Sequence, residues 1–288
     1  MILSKNAIHI FCNIVILFVS MQLNEVNCRQ NTDIKKMILL GEDTVFLRIY
    51  TKPGKNMVYA HVHENETASL EAGLKMIEKY GGKLVTLEHS SDSIKNRNIR
   101  FTYRKTTYQF DPNRIYTADD MVLKKSISVV AGSGKVDYII LKMVKRLAKQ
   151  IWNEIKEYPL IVALHNNKNT PAECTNMWFF WNRMEPESYN ITSYVKKNDQ
   201  SSDSNKSCAE IYINPAVNNS EFFIVTQKAD FDMFVRKKYS VVLQNANPVD
   251  DGSMSVFATG FGKRYINSEA KHGRVIEQEA MLELLLLE

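Results

Sequence analysis

Residues 57–89 constrain the fold more than any other stretch. Met57-Val58-Tyr59-Ala60 is continuously apolar, as a buried strand requires. Residues Thr67 to Tyr80 carry Leu70, Leu74 and Ile77 at helical spacing, and Gly81-Gly82 supplies a glycine stop. Residues Lys83 to His89 then return to a strand pattern. Strand, helix and strand of these lengths form a βαβ unit, which predicts parallel pairing with helices on the sheet faces. A second continuous apolar run, Leu160 to Leu164, follows an amphipathic helix spanning Val136 to Tyr158.

Further strands are predicted at Asp43 to Tyr50, Phe222 to Thr226, Val241 to Gln244 and Tyr265 to Glu269. A hairpin is predicted around Arg104-Lys105, and a last helix from Val275 to Glu288. The expected fold is a single α/β domain over residues 29–288, with a mixed, largely parallel central sheet flanked by helices. Residues 166–221, rich in Asn, Ser and Lys, read as an insertion.

The N-terminus has a different character. Lys5 precedes an apolar run containing Ile8, Phe11, Ile14 and Phe18, and Val26 and Cys28 stand at plausible cleavage positions. That order is the order of a secretory signal, so residues 1–28 are expected to be removed and the protein exported. Cys174 and Cys208 then remain. In an oxidising compartment they are expected to pair, closing a loop of roughly 35 residues at about 3–4 kcal/mol on a chain-entropy argument. Sequons at Asn190, Asn205 and Asn218 suit an exposed, glycosylated segment. The formal charge of +5 is spread along the chain. Basic residues do not alternate with aromatics as nucleic-acid binding would favour, and no segment after the signal suits a membrane span.

The chemistry concentrates at strand ends. His63 and Glu66 stand three residues apart where the strand from Met57 meets its helix. Zinc accepts imidazole nitrogen and carboxylate oxygen, and a catalytic site needs three protein ligands with one position open. His165 directly follows the apolar run Leu160 to Leu164, at the carboxyl end where α/β sheets gather their sites, and is the natural third ligand. His61 and Glu64 repeat the His-x-x-Glu spacing one strand period earlier.

His63-x-Asn65-Glu66, then Asn113-Arg114 within Asp111-Pro-Asn-Arg, then His165-Asn166, then Glu269 in Asn267-Ser-Glu together resemble the zinc carboxypeptidase superfamily. The resemblance is to its aspartoacylase and succinylglutamate desuccinylase branch, over residues 57–273. It implies a zinc-dependent exopeptidase-like fold holding one Zn2+ on His63, Glu66 and His165. It also implies Glu269 as general base, with Asn113 and Arg114 gripping a substrate carboxylate.

Arg104 or Arg100 would serve the developing oxyanion, though neither stands at the family's spacing. The implied activity is a secreted hydrolase cleaving an amide next to a free carboxylate, on a small-molecule or peptide substrate. A non-catalytic binding protein on the same scaffold is the alternative. Two departures from the family pattern matter. Ala163 stands where many relatives carry an Asp, so another arrangement must orient His165. Asn65-Glu-Thr67 is also a sequon within the ligand turn, and Asn65 is expected to be unmodified because a glycan there would obstruct the cleft.

Overall fold

The computed structural model describes residues 31–90, 94–167, 190–199 and 206–286. The signal-like segment, Cys174 and Asn205 lie outside the described residues. The chain forms β1 (Thr32–Leu40), β2 (Asp43–Lys52), β3 (Val58–His61), α1 (Thr67–Tyr80) and β4 (Gly82–Glu88), then β5 (Ile99–Tyr103), β6 (Thr106–Phe110), α2 (Asp120–Ser126), β7 (Ile127–Ala131) and α3 (Tyr138–Ile155). It continues through β8 (Ile161–Asn167), α4 (Ile191–Asp199), β9 (Cys208–Tyr212), β10 (Phe222–Val225), α5 (Lys228–Arg236) and β11 (Val241–Gln244), and ends with α6 (Met254–Gly260), β12 (Tyr265–Lys271) and α7 (Val275–Glu283).

Among the described residues, nine strands make one sheet in the order β1-β2-β4-β3-β8-β12-β10-β11-β9. The predicted βαβ unit is present as β3-α1-β4, with β3 and β4 paired in parallel. The centre is parallel through β4, β3, β8 and β12. The remaining pairings are antiparallel except β10 with β11, so among the described residues four pairings run each way. The sheet is therefore mixed, with its parallel centre at β4, β3, β8 and β12.

Alternation along the central strands sorts side chains into two cores. Val58, Ala60, Ile161, Ala163 and Tyr265 face α3, which contributes Val144, Leu147 and Ile151. Tyr59, Val162, Leu164 and Ile266 face Ala72, Met76 and Ile77 of α1, with Met281 and Leu282 of α7. Burial on both faces accounts for the unbroken apolar runs that marked these strands in the sequence.

β5, β6 and β7 form a separate three-stranded sheet. Its hairpin turns at Arg104 (φ 49°) and Lys105 (φ 64°), two left-handed residues as a tight two-residue hairpin demands.

The stretch expected to be an insertion contributes to the sheet: β9 pairs antiparallel with β11 at its edge. Ile191 of α4 and Cys208 of β9 pack with Phe222, Ile224 and Val242. No disulfide occurs among the described residues. Cys208 is buried, and the expected Cys174–Cys208 pairing involves a residue outside them.

Asn218 is exposed, but Asn190 is buried, and its Oδ1 accepts from Thr192 N at 2.9 Å. A glycan needs an exposed amide, so of these two sequons Asn218 alone presents one. Among the described residues no helix is long and apolar enough to cross a membrane.

Candidate metal centre

The site forms where three strand ends meet. β3 stops at His61, and the chain turns tightly through His63 to Glu66, with Glu66 N donating to His63 O at 3.0 Å. Glu66 caps the start of α1, where the helix dipole favours a carboxylate. β8 lies beside β3 and carries His165 out of the same edge.

The turn and β8 bring His63, Glu66 and His165 into one buried group that could hold a metal ion, their donor atoms all within 4.8 Å of one another. His63 Nδ1 is 2.9 Å from Glu66 Oε1, His165 Nδ1 is 3.1 Å from Glu66 Oε2, and the two Nδ1 atoms are 3.1 Å apart.

Zinc bonds of 2.0–2.1 Å in a tetrahedron would set their donors about 3.3 Å apart, close to these separations. Two imidazole lone pairs that face each other beside a carboxylate need positive charge between them. Burial alone would lower the His63 pKa, but the Glu66 carboxylate and the Asp111 hydrogen bond outweigh it and raise it to about 9. Burial pushes Glu66 upward, yet the two imidazoles hold it well below the ordinary carboxylate range. A cation satisfies both demands, so the donor set fits one.

Asp111 is a partner that sequence reasoning did not single out. Its Oδ1 accepts from His63 Nε2 at 2.7 Å. That bond places the proton on Nε2 and leaves the Nδ1 lone pair, free to ligate a metal, facing Glu66 and His165. Burial raises the Asp111 pKa, but the His63 bond and the Arg97 charge bring it below the usual range. The one sequence signal was its place before Pro112 at a strand end.

His165 has a different environment. Its Nε2 is buried and meets no hydrogen-bond partner among the described residues, and Ala163 on the same strand face offers none. The orienting contact at its other nitrogen comes from Glu66. Asn166 N donates to Glu66 Oε2 at 3.1 Å, while Asn166 Oδ1 accepts from Ser69 N at 2.8 Å and its Nδ2 donates to Gln278 at 3.1 Å. This buried chain ties β8 to α1 and α7.

Glu269 of β12 is the register partner of His165 and is buried. Asn267, on the same strand face, donates to its Oε1 at 3.0 Å. Burial raises the Glu269 pKa, and the neighbouring His165 opposes the rise.

Glu66, His165 and Glu269 line a cavity of about 770 Å3 together with Arg97, Asn113 and Arg114. Arg114 pairs with Asp251, and Asn113 Oδ1 accepts from Met254 N at 3.3 Å. Gly252 (φ +74°) lets this loop lie flat on Arg114: a Cβ there would sit 2.6 Å from the Arg114 carbonyl oxygen.

Arg104 is not part of this cavity. The hairpin turn holds it outward, with its guanidinium over the Tyr103 ring and its N–H on Glu42. Arg100 is exposed and donates to Gln109 at 2.6 Å. The arginine that does reach the site is Arg97, which bonds Glu66 and lies 3.6 Å from Asp111. Nothing in Lys95-Asn96-Arg97 distinguishes it in sequence.

The earlier His-x-x-Glu pair has other duties. His61 contacts Thr86 Oγ1 at 2.8 Å and Glu66 O at 3.1 Å, and burial lowers its pKa to about 4. Glu64 accepts from His89 N, Ser90 N and Lys95.

No protein-family profile matches the sequence, and no curated protein matches it. Among solved structures, the chain is similar to a protein of Shewanella frigidimarina NCIMB 400 assigned as a succinylglutamate desuccinylase/aspartoacylase. The TM-score is 0.40 at 11% identity, over 89% of this chain and 71% of that one. An aspartoacylase family protein of Mesorhizobium loti MAFF303099 gives a TM-score of 0.39 at 12% identity, over 91% and 68%.

Proposed function

We propose that the protein is a zinc-dependent hydrolase, exported from the cell, that cleaves an amide bond next to a free carboxylate. The observation that carries this reading is the convergence of His63, Glu66 and His165, with Glu269 in register beside His165 on the cavity wall. Zinc held by those three residues supplies Lewis acidity, which activates water and polarises a carbonyl oxygen.

Glu269 is the base. Asn267 fixes one of its carboxylate oxygens, so the other accepts the water's proton and returns it to the leaving nitrogen. Arg97, beside Glu66, serves the developing oxyanion in place of Arg104. Arg114 keeps N–H groups beyond its Asp251 contact, and these grip the substrate carboxylate. Its place in the cavity suits a small-molecule or peptide partner.

Metal analysis of the purified protein, with hydrolysis of N-acyl-amino acids and C-terminal dipeptides, tests the reading. About one zinc per chain and turnover of at least one substrate class are expected. Zinc without turnover would leave the binding-protein alternative, and absence of both would sink the proposal. Asp111→Asn is expected to weaken zinc binding about 10–100-fold, because the His63 tautomer loses its anchor. Competition with a chromophoric chelator measures it.

A further inference from the structure

The cavity continues away from the metal cluster across the sheet. On the face that carries Glu269 and Asn267, Asn267 of β12 is opposite Ile224 of β10, and Ile224 is opposite Val242 of β11. With strands about 4.8 Å apart, this row runs about 10 Å from β12. Ile224 and Val242 line the cavity, as do Val249 and Val256 from the segment leading into and through α6. Among the described residues, the charged groups of the lining are Glu66, Arg97, Arg114, Asp251 and Glu269.

Each of those cations already faces an anion. Arg97 meets Glu66 and Asp111, and Arg114 meets Asp251. Asp251 is itself occupied on both oxygens, Oδ1 accepting from Ser253 N at 3.0 Å and Oδ2 pairing with Arg114. A first substrate carboxylate can share Arg114. A second would find no unpaired cation in the described lining, and the one lining acid outside these pairs that a cationic side chain could meet, Glu269, stands beside His165 at the cluster. Burying either charge without a partner is costly.

We propose that the substrate residue bearing the free carboxylate has an uncharged, apolar side chain seated on Ile224 and Val242, and that Asp251 enforces this choice by occupying Arg114. The inference rests on reading the site as an amide hydrolase.

The test is calorimetric binding of N-methylsulfonyl-L-leucine, N-methylsulfonyl-L-aspartate and N-methylsulfonyl-L-lysine to the full, zinc-loaded chain, since the sulfonamide bond resists hydrolysis. The leucine compound is expected to bind about tenfold tighter or better than the charged ones. Equal or tighter binding of aspartate or lysine overturns the proposal, while the hydrolase reading stands if N-acyl-amino acids are turned over. If no compound binds and no substrate is hydrolysed, both fall. Asp251→Asn is expected to improve aspartate binding relative to leucine about tenfold, and an unchanged ratio removes Asp251 from the proposal.

Discussion

Replacing Glu269 by Gln is expected to lower kcat about 10³-fold, with zinc content unchanged. Gln keeps the volume of the side chain and an oxygen able to accept from Asn267, so packing beside His165 survives. What it loses is the capacity to take a proton from water. Glu269 is buried one strand from His165, and the substitution removes a charge without opening a cavity. The fold should therefore hold. Circular dichroism and metal analysis establish that the variant is intact, and steady-state hydrolysis of the best N-acyl-amino acid then reads the loss. A decrease below about tenfold would assign the proton transfer elsewhere.

The second large effect concerns the metal. Adding zinc to the metal-free protein at about 100 times its dissociation constant is expected to contribute about 2.7 kcal/mol of stability. For a domain of this size that raises Tm by about 5–10 °C. His165→Ala removes one of the three converging donors and should abolish that shift, along with turnover. The variant leaves Glu66 paired with His63 and Arg97, so its metal-free Tm is informative. Differential scanning calorimetry with and without zinc makes the comparison. An undiminished zinc shift in His165→Ala would show that the ion binds elsewhere.

The strands at the centre of the sheet were legible because they are buried on both faces. Val58 to Ala60 and Ile161 to Leu164 have little choice but apolar residues. The same logic explains what was missed. β1 and β7 are sheet edges with most of their side chains exposed, so alternation and hydrophobicity fade. β9 pairs along the opposite edge within a polar stretch, which read as an insertion.

Site residues divided in a similar way. His63, Glu66, His165, Asn113, Arg114 and Glu269 stand out as candidates because they follow one another in an ordered pattern near strand ends, and the structure brings His63, Glu66 and His165 together. Arg97 and Asp251 sit in unpatterned loops, and Asp111 was noticed as part of a motif without a role. The hairpin that carries Arg104 was read correctly, but its turn geometry, which aims that side chain away, is invisible in composition.

The sequence by itself determined the βαβ unit, the buried strands and the two residues of the His63–Glu66 turn, because each depends on neighbours a few positions away. Tertiary structure alone brought His165, 102 residues from His63, to within 3.1 Å of it, and set His61 on the Glu66 backbone instead. It also decided that Arg97, and not Arg104, joins Arg114 in the cavity lining, and which acid restrains Arg114. The physical reason is strand order. Placing β3, β8 and β12 side by side brings their carboxyl ends together, and that adjacency is set by the packing of the whole sheet against its helices.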